Sequence, residues 1–149
     1  DATFRNPSLH RLFNHDTRTG FSDVLAGSVD IHGAIRPSYM PYLAFLPAGT
    51  PFADPAPHFR SDKFESFIKT ARARFDYVIL DTPPVSRYAD CLVIGPRVDH
   101  VVLVVRAHRT KKQIVVHAKE QIIKHGGRIM GVVLNRRRFF IPEFIYTRL

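Results

Sequence analysis

The stretch that decides the fold is Tyr77-Val78-Ile79-Leu80-Asp81-Thr82-Pro83-Pro84. Its four apolar residues in succession are typical of a strand buried on both faces, as in a parallel sheet that helices cover. Asp81 stands where this strand would end, and the two prolines prevent its hydrogen-bonding ladder from continuing. Ligands of open α/β sheets bind beyond the carboxyl ends of the strands, so the pattern predicts that Asp81 faces a binding crevice.

A carboxylate at that position suits a magnesium site. Asp81 could hold Mg²⁺ directly or through water beside a nucleotide phosphate, because Mg²⁺ prefers oxygen ligands and retains several waters. The alternative is a strand-ending aspartate that only caps a turn, and the Thr-Pro-Pro that follows weakens this alternative. The residues alone leave both interpretations open.

The composition is that of one globular domain with a basic surface. The chain has 149 residues, of which 45% are hydrophobic, so it can bury a substantial core. Its 22 Lys and Arg against 13 Asp and Glu give a net charge of +9, which suits an anionic partner. The basic residues are scattered apart from Arg136-Arg137-Arg138, and no aromatic residues alternate with them, so nucleic-acid binding is not expected.

Several other kinds of protein have little support in the sequence. No apolar run reaches the length of a membrane span, and the single Cys91 excludes an internal disulfide framework and fits a reducing compartment. The eight histidines show no metal-ligand spacing, and no Gly-x-Ser-x-Gly motif indicates a serine hydrolase. The chain opens on Asp1 without an initiator methionine, so we expect it to be a fragment of a longer protein.

Hydrophobic periodicity predicts alternating strands and helices. Strands are predicted at residues 42–46, 77–81, 101–105 and 129–135, and the main helices between them at residues 62–74, 89–95 and 110–125. Shorter helices are predicted at residues 8–13 and 20–27, a loop or short strand at 31–35, and an extended proline-rich loop at 47–57. This alternation predicts an α/β fold, a parallel β-sheet flanked by helices in three α/β/α layers.

The expected helix starts follow from capping residues. Ser22 or Asp23 would start the helix at 20–27, Thr110 the helix at 110–125, and Asp62 with Glu65 resembles a capping box. Residues 136–149 form a basic and aromatic tail after the last strand.

Six motifs, taken in their order along the chain, resemble one protein family. They are residues 1–10 (DATFRNPSLH), 21–27 (FSDVLAG), 46–50 (LPAGT), 76–84 (DYVILDTPP), 102–110 (VLVVRAHRT) and 131–135 (GVVLN). They resemble the cytoplasmic kinase domain of the bacterial tyrosine autokinases of capsular and exopolysaccharide synthesis, the BY-kinase or polysaccharide co-polymerase family. That family belongs to the deviant-Walker P-loop ATPases related to MinD and ParA. The resemblance implies a P-loop NTPase-like fold, with residues 1–149 as the C-terminal portion of one such domain.

The resemblance also implies an ATP and Mg²⁺ site. Asp81 matches the Walker B aspartate, and Asp1 matches the first acidic residue of the second Walker motif. Both would be catalytic carboxylates that face the metal ion. Arg5 would neutralise phosphate charge and Thr82 would line the cofactor site, while the Asn135 amide would read the adenine. The alternatives are a surface arginine for Arg5 and a strand-ending turn for Asn135.

Two further residues have roles only through the resemblance. Tyr146 lies where the family carries an autophosphorylated tyrosine cluster, and it is a possible phosphosite or an aromatic residue that packs the tail. Asp90 matches an aspartate after the Walker B segment, and it is expected to cap its helix rather than to take part in chemistry.

The chain departs from the family pattern at two points. No Gly-x-x-x-x-Gly-Lys-Ser/Thr loop is present, and this loop supplies the phosphate-binding lysine and backbone N–H groups. Thr3 stands where the family usually has a second aspartate, and a neutral hydroxyl is neither a charged metal ligand nor a useful base. We therefore expect this polypeptide alone neither to hold ATP well nor to transfer phosphate.

These observations favour part of an ATP-dependent protein-tyrosine autokinase that regulates capsular or exopolysaccharide synthesis and export. The alternatives are a MinD- or ParA-like ATPase switch and a degenerate, non-catalytic interaction module. The resemblance implies self-association or a membrane-anchored co-polymerase partner, and a cytoplasmic place at the inner face of the bacterial inner membrane. Without a P-loop strand, an apolar sheet edge or helix-docking face is expected to be open.

Overall fold

Helices predominate over strands in residues 1–16 and 19–137, which are the residues that the computed structural model describes. The helices are α1 (Leu9–Leu12), α2 (Phe21–Ala26), α3 (Ile31–Ala34), α4 (Ala56–Phe59), α5 (Asp62–Arg74), α6 (Asp90–Ile94) and α7 (Lys112–Lys124). The strands are β1 (Arg36–Pro37), β2 (Ala44–Phe45), β3 (Val101–Arg106) and β4 (Ile129–Asn135), and a 3₁₀ turn covers Gly95–Arg97.

The parallel part of the sheet is the β3–α7–β4 unit. β3 and β4 pair in parallel from Val101 opposite Ile129 to Arg106 opposite Asn135, with one irregularity after Val101. α7 connects the two strands and buries Ala118 and Ile122, which belong to its predicted apolar face. This unit confirms the predicted parallel α/β organisation, although α7 begins after Lys111 rather than at the predicted cap Thr110.

Residues 77–80 are not the doubly buried strand that was predicted. The segment forms no strand ladder with any residue that the structure describes. Tyr77 and Ile79 are each 89% exposed, whereas Leu80 packs against the hydrophobic core. One face is therefore covered and the other is open, because strand structure and burial depend on neighbouring chain that an apolar run does not itself provide.

Three other predictions for short segments are also wrong in part. The predicted strand at 42–46 is reduced to β2, which pairs antiparallel with β1 to form a small hairpin. The predicted loop or strand at 31–35 contains the helical turn α3, because the Asp30 side chain accepts a hydrogen bond from the backbone N–H of His32 and caps it. The proline-rich stretch is extended only as far as Pro55, where α4 begins.

Phenylalanine side chains build the main core. Phe4 is fully buried, and its ring centroid lies 5.8 Å from that of Phe21, 5.2 Å from Phe52 and 5.5 Å from Phe59. Phe21 in turn packs on Phe67, with 4.5 Å between the ring centroids. These contacts join the N-terminal segment to α2, α4 and α5, and tilted or offset rings at these separations pack favourably.

The motifs at residues 21–27 and 46–50 lie against each other. The backbone N–H of Phe21 donates to the Pro47 carbonyl at 2.8 Å, and that of Ser22 donates to the Ala48 carbonyl at 2.9 Å. A Cβ at Gly20 would lie 2.3 Å from the Pro47 carbonyl oxygen, so this contact requires glycine. Gly20, rather than Ser22 or Asp23, is therefore the residue that precedes α2.

The cap of α5 lies one residue before the predicted one. Ser61 is the N-cap, and its hydroxyl accepts a hydrogen bond from the backbone N–H of Phe64. Phe64, Phe67 and Ala71 form the buried face of α5, at the i, i+3 and i+7 spacing of one helix face. Across residues 1–16 and 19–137, no helix combines the length and the apolar character that crossing a bilayer requires.

Candidate metal and nucleotide site

The two carboxylate residues predicted for the metal site lie next to each other. The backbone N–H of Ala2 donates to the Asp81 carbonyl at 2.8 Å, and the Asp1 amino group donates to the Leu46 carbonyl at 2.7 Å. The first two residues thus run between the end of the 77–80 segment and the 46–50 loop. This arrangement brings Asp1 beside Asp81.

The Asp1 carboxylate is held by backbone donors. One oxygen accepts from the N–H of Thr3 at 3.0 Å, and the other accepts from the N–H groups of Ser8 and Leu9, each at 3.1 Å. Asp1 therefore closes the loop that precedes α1 and supplies the cap that the Ser8 side chain does not make. Its three donors leave limited capacity for a metal ion.

The Asp81 carboxylate has a different environment. Asp81 is exposed, and within the described part of the chain its side chain has no hydrogen-bond or ion-pair partner. It lines a groove of about 1340 Å³ between residues 75–86 and β3, whose floor includes apolar residues of α7. Both of its oxygens are thus available to a ligand.

These two residues fit a Mg²⁺ ion that is bound mainly through water and phosphate. Mg²⁺ usually takes one or two protein carboxylates and completes its octahedron with waters and substrate oxygens. Asp81 has the free oxygens for direct or water-mediated binding, and Asp1 adds negative charge beside it. In residues 1–16 and 19–137 no group of three or more His, Cys, Asp or Glu residues could hold a metal ion, so the phosphates would supply the remaining ligands.

Thr3 connects two segments of the chain through hydrogen bonds. Its hydroxyl donates to the Asp81 carbonyl at 3.4 Å, and its N–H donates to the Asp1 carboxylate. The residue therefore ties the N-terminal segment to the end of the 77–80 segment without contributing charge.

Arg5 makes an ion pair with Asp90, which the sequence did not indicate. Its guanidinium donates to the Asp90 carboxylate, and its Cζ lies 4.6 Å from the centre of the Tyr88 ring. Asp90 is the first residue of α6 and is 2% exposed. The pair ties the N-terminal segment to α6, so Arg5 would have to exchange its partner to reach a phosphate.

The Thr82 side chain contacts α6. Its side chain forms a hydrogen bond with the buried Cys91 thiol. Burial raises the pKa of Cys91, while this hydrogen bond opposes the rise and the Asp90 charge reinforces it. A raised thiol pKa keeps Cys91 protonated near neutral pH, in agreement with a packing role.

Asn135 lies at the end of β4. Its side-chain oxygen accepts from the backbone N–H of Arg136 at 2.7 Å, and its carbonyl accepts from the N–H of Ala107 at 2.8 Å. It is exposed, and it is not a wall residue of the groove that Asp81 lines. The structure thus brings Asp1, Asp81 and Thr82 together, whereas Asn135 ends the neighbouring strand pair. Tyr146 and the tail from residue 138 lie outside the described residues.

Comparison with known proteins shows which proteins this chain is similar to. No protein-family profile matches the chain. The tyrosine-protein kinase CpsD of Streptococcus agalactiae is 32% identical over 137 residues, which cover 91% of this chain and 60% of that relative. The chain is homologous to bacterial tyrosine-protein kinases. This kinase homologue spans less than two thirds of the length of the curated relatives CpsD, CapB of Staphylococcus aureus and YwqD of Bacillus subtilis.

Solved structures agree with this assignment. The crystal structure of the chimerical protein CapA2B2 matches with a TM-score of 0.88 at 29% identity, over 93% of this chain and 62% of that chain. The kinase domain of the Escherichia coli tyrosine kinase ETK matches with a TM-score of 0.88 at 26% identity, over 95% of this chain and 56% of that chain. These similarities confirm the predicted kinase-domain fold for the kinase homologue.

In the 149-residue chain taken by itself, the buried amino group of Asp1 predicts a dependence of stability on pH. Burial lowers its pKa from 8.0 to about 6, and the nearby Asp81 charge opposes this change. The folded state disfavours the protonated amino group. The free-energy cost of burying this charge is therefore absent above about pH 8, where the group is neutral in both states, and complete below about pH 6, where it is charged in both. A difference of two pKa units corresponds to about 2–3 kcal/mol of unfolding free energy.

Urea unfolding in EDTA at pH 8.5 and pH 6 measures this effect in the chain with a free amino terminus at Asp1. A matched chain with Gly-Ser-Gly before Asp1 carries an amide there, and the histidine contributions are the same in both chains. We expect the pH-dependent loss to be larger for the free terminus. Equal losses would contradict the prediction.

Proposed function

We propose that this chain is the part of an ATP-dependent protein-tyrosine kinase that holds the metal ion and the nucleotide base. The parent protein would regulate the synthesis and export of a capsular or extracellular polysaccharide. The observation that carries this proposal is the hydrogen bond from the N–H of Ala2, the residue after Asp1, to the Asp81 carbonyl, with the Asp81 carboxylate free, in a chain homologous to tyrosine-protein kinases.

The described residues have definable roles in such a kinase. Asp81 and Asp1 would hold a Mg²⁺ ion, which when bound would supply neutralisation of the negative charge on the phosphates. Asp81 would accept the metal or one of its waters, and Asp1 would fix the backbone at that point and add negative charge. Asn135 retains its side-chain amide hydrogens, which could donate to a ring nitrogen of adenine. Arg5 would contribute mainly by fixing the N-terminal segment to α6.

The phosphates need a binding loop that these 149 residues do not contain. No Gly-Lys pair occurs anywhere in the chain, so neither a P-loop lysine nor its glycine-rich cradle is present. Phosphate binding would therefore require polypeptide beyond these residues, and phosphate transfer by this chain alone is not expected.

The proposed partners follow from the kinase assignment. In the parent protein a neighbouring subunit would present its tyrosine to the metal site, and Tyr146 is the candidate acceptor in this chain. A membrane-anchored co-polymerase subunit would hold the kinase at the cytoplasmic face of the inner membrane. ATP and Mg²⁺ would be the cofactors.

A second candidate function is a non-catalytic interaction module. It is favoured by Thr3, whose hydroxyl binds the Asp81 carbonyl in the position where the family usually has a charged carboxylate. In this alternative the fold would be retained as a binding surface while nucleotide chemistry is lost.

The coding sequence before Asp1 separates these candidates. A Gly-x-x-x-x-Gly-Lys-Ser/Thr motif within about forty residues would support the kinase, since that loop holds the phosphates. A start codon directly before Asp1 would exclude it.

In a parent protein that contains the loop, Asp81→Asn is expected to raise the Kd for Mg-ATP by about tenfold to a hundredfold, because a metal-binding carboxylate is lost. Asp62→Asn, at an exposed carboxylate in the first turn of α5, is the matched control and should bind normally. Isothermal titration and an autophosphorylation assay provide the two measurements. Unchanged affinity and autophosphorylation in Asp81→Asn would remove Asp81 from the site.

A further inference from the structure

The connection between β1 and β2 presents a row of apolar side chains to solvent. This hairpin tip comprises residues 39–43, with the sequence Tyr-Met-Pro-Tyr-Leu. The exposed fractions are 74% for Tyr39, 49% for Met40, 108% for Tyr42 and 41% for Leu43. Isolated exposed apolar residues are common on protein surfaces, but a continuous exposed group marks an interaction site.

The hairpin tip is a defined turn. The Ser38 hydroxyl accepts from the N–H of Met40 at 3.0 Å and donates to the Met40 carbonyl at 3.2 Å. The N–H of Ser38 donates to the Leu43 carbonyl, which closes the turn at its base. Tyr42 has a φ of 61°, a left-handed conformation that is uncommon for a bulky residue. The turn therefore holds the Tyr42 side chain outward, away from the core that could have buried it.

The base of the hairpin is anchored, and the apolar surface continues onto α1. Phe45 of β2 is buried and stacks on Phe13, with 4.5 Å between the ring centroids. Phe13 also contacts Tyr39, with a centroid separation of 6.0 Å, and the adjacent Leu12 is 65% exposed. The result is a projecting apolar surface on a fixed base.

The charge around the hairpin tip is compatible with an anionic surface. Residues 31–53 contain no Asp or Glu and include Arg36, and α1 adds His10 and Arg11 beside Leu12. The acidic residues that flank this range are Asp30, whose carboxylate caps α3, and Asp54, and Asp16 is the acidic residue nearest to α1 in sequence. The whole chain carries a net charge of +9.

We propose that the hairpin tip is a membrane-contact site that inserts Tyr39, Met40, Tyr42 and Leu43 among the headgroups of an anionic lipid bilayer. Projecting side chains penetrate an interface readily, and tyrosine places an apolar ring and a polar hydroxyl at the boundary between acyl chains and water. Basic residues beside the inserted group add electrostatic attraction to anionic lipids. The site does not depend on nucleotide binding, so it is independent of the proposed kinase function.

Vesicle co-sedimentation of the 149-residue chain tests this proposal. The probes are vesicles of phosphatidylglycerol and phosphatidylethanolamine, with pure phosphatidylcholine vesicles as the uncharged comparison. We expect binding to the anionic vesicles that weakens in high salt, and at least about tenfold weaker partitioning for Met40→Ser with Tyr42→Ser.

The matched control is Tyr77→Ser with Ile79→Ser, which removes an aromatic and an aliphatic side chain, each 89% exposed, from the 77–80 segment. Circular dichroism checks that both double variants remain folded. Retained binding in this control together with loss in the tip variant supports the proposal. Absence of vesicle binding by the parent chain, or equal losses in the two variants, overturns it. Self-association that the tip variant abolishes, without vesicle binding, also overturns it and identifies a contact between copies.

Discussion

Phe4→Ala is expected to lower the free energy of unfolding by about 3–5 kcal/mol, because it deletes a fully buried ring and leaves a cavity. The ring joins three elements of the core through Phe21, Phe52 and Phe59. The rigid cluster around these rings cannot close fully over the space that is left. Urea unfolding measures this loss of stability. The slope of the unfolding free energy against urea concentration should stay the same in the variant.

Tyr42→Ala is the matched control for this prediction. It removes an aromatic side chain of similar size that is fully exposed, so its effect on stability should be within about 0.5 kcal/mol. A loss below about 1 kcal/mol for Phe4→Ala would show that the phenylalanine cluster is not the main core.

Arg5→Ala is expected to lower the free energy of unfolding by about 3 kcal/mol, since it leaves the buried Asp90 carboxylate without its counter-ion. The contact of the guanidinium with the Tyr88 ring is lost as well. The N-terminal segment would therefore lose its ion-pair contact with α6, and the folded state would be less stable.

Arg72→Ala provides the control for the ion pair. It breaks the Arg72–Asp99 pair, in which both side chains are largely exposed, so a loss within about 1 kcal/mol is expected. Asp90→Ala and the double variant Arg5→Ala with Asp90→Ala complete a double-mutant cycle. The double variant should be less destabilised than the sum of the two single variants. Additive losses would mean that the two charges do not stabilise each other.

The β3–α7–β4 unit could be predicted from sequence because its information is local. Val101–Arg106 is continuous and apolar up to its last residue, α7 repeats apolar residues at helical spacing, and Gly126-Gly127 ends it. Each signal lies within a few residues of the structure that it specifies.

The 77–80 segment shows the limit of the same method. An apolar run indicates a preference for extended backbone, but it carries no information on whether partner strands are present on both sides. Here Leu80 packs inward while Tyr77 and Ile79 remain exposed, a pattern that the run of four apolar residues does not distinguish from full burial.

Asp81 alone was predicted from its place at the end of an apolar run, whereas its pairing with Asp1 was predicted only through the resemblance. Asp1 and Asp81 are distant in sequence, and no periodic pattern relates them. The Arg5–Asp90 pair spans 85 residues, and the start of α6 at Asp90 gave the residue a simpler explanation as a cap. A buried ion pair of this kind depends on the tertiary fold, which short-range patterns do not encode.

The phenylalanine core has a consequence for biosynthesis. Phe4 and Phe21 are translated well before their partners Phe59, Phe64 and Phe67. Contacts between segments so distant in sequence are slow to form, and at translation rates of about 5–20 residues per second the rings of Phe4 and Phe21 stay without these partners for several seconds. The nascent segment that carries Phe4 and Phe21 therefore exposes these rings until α5 has left the exit tunnel, and during that interval they can associate with other apolar surfaces.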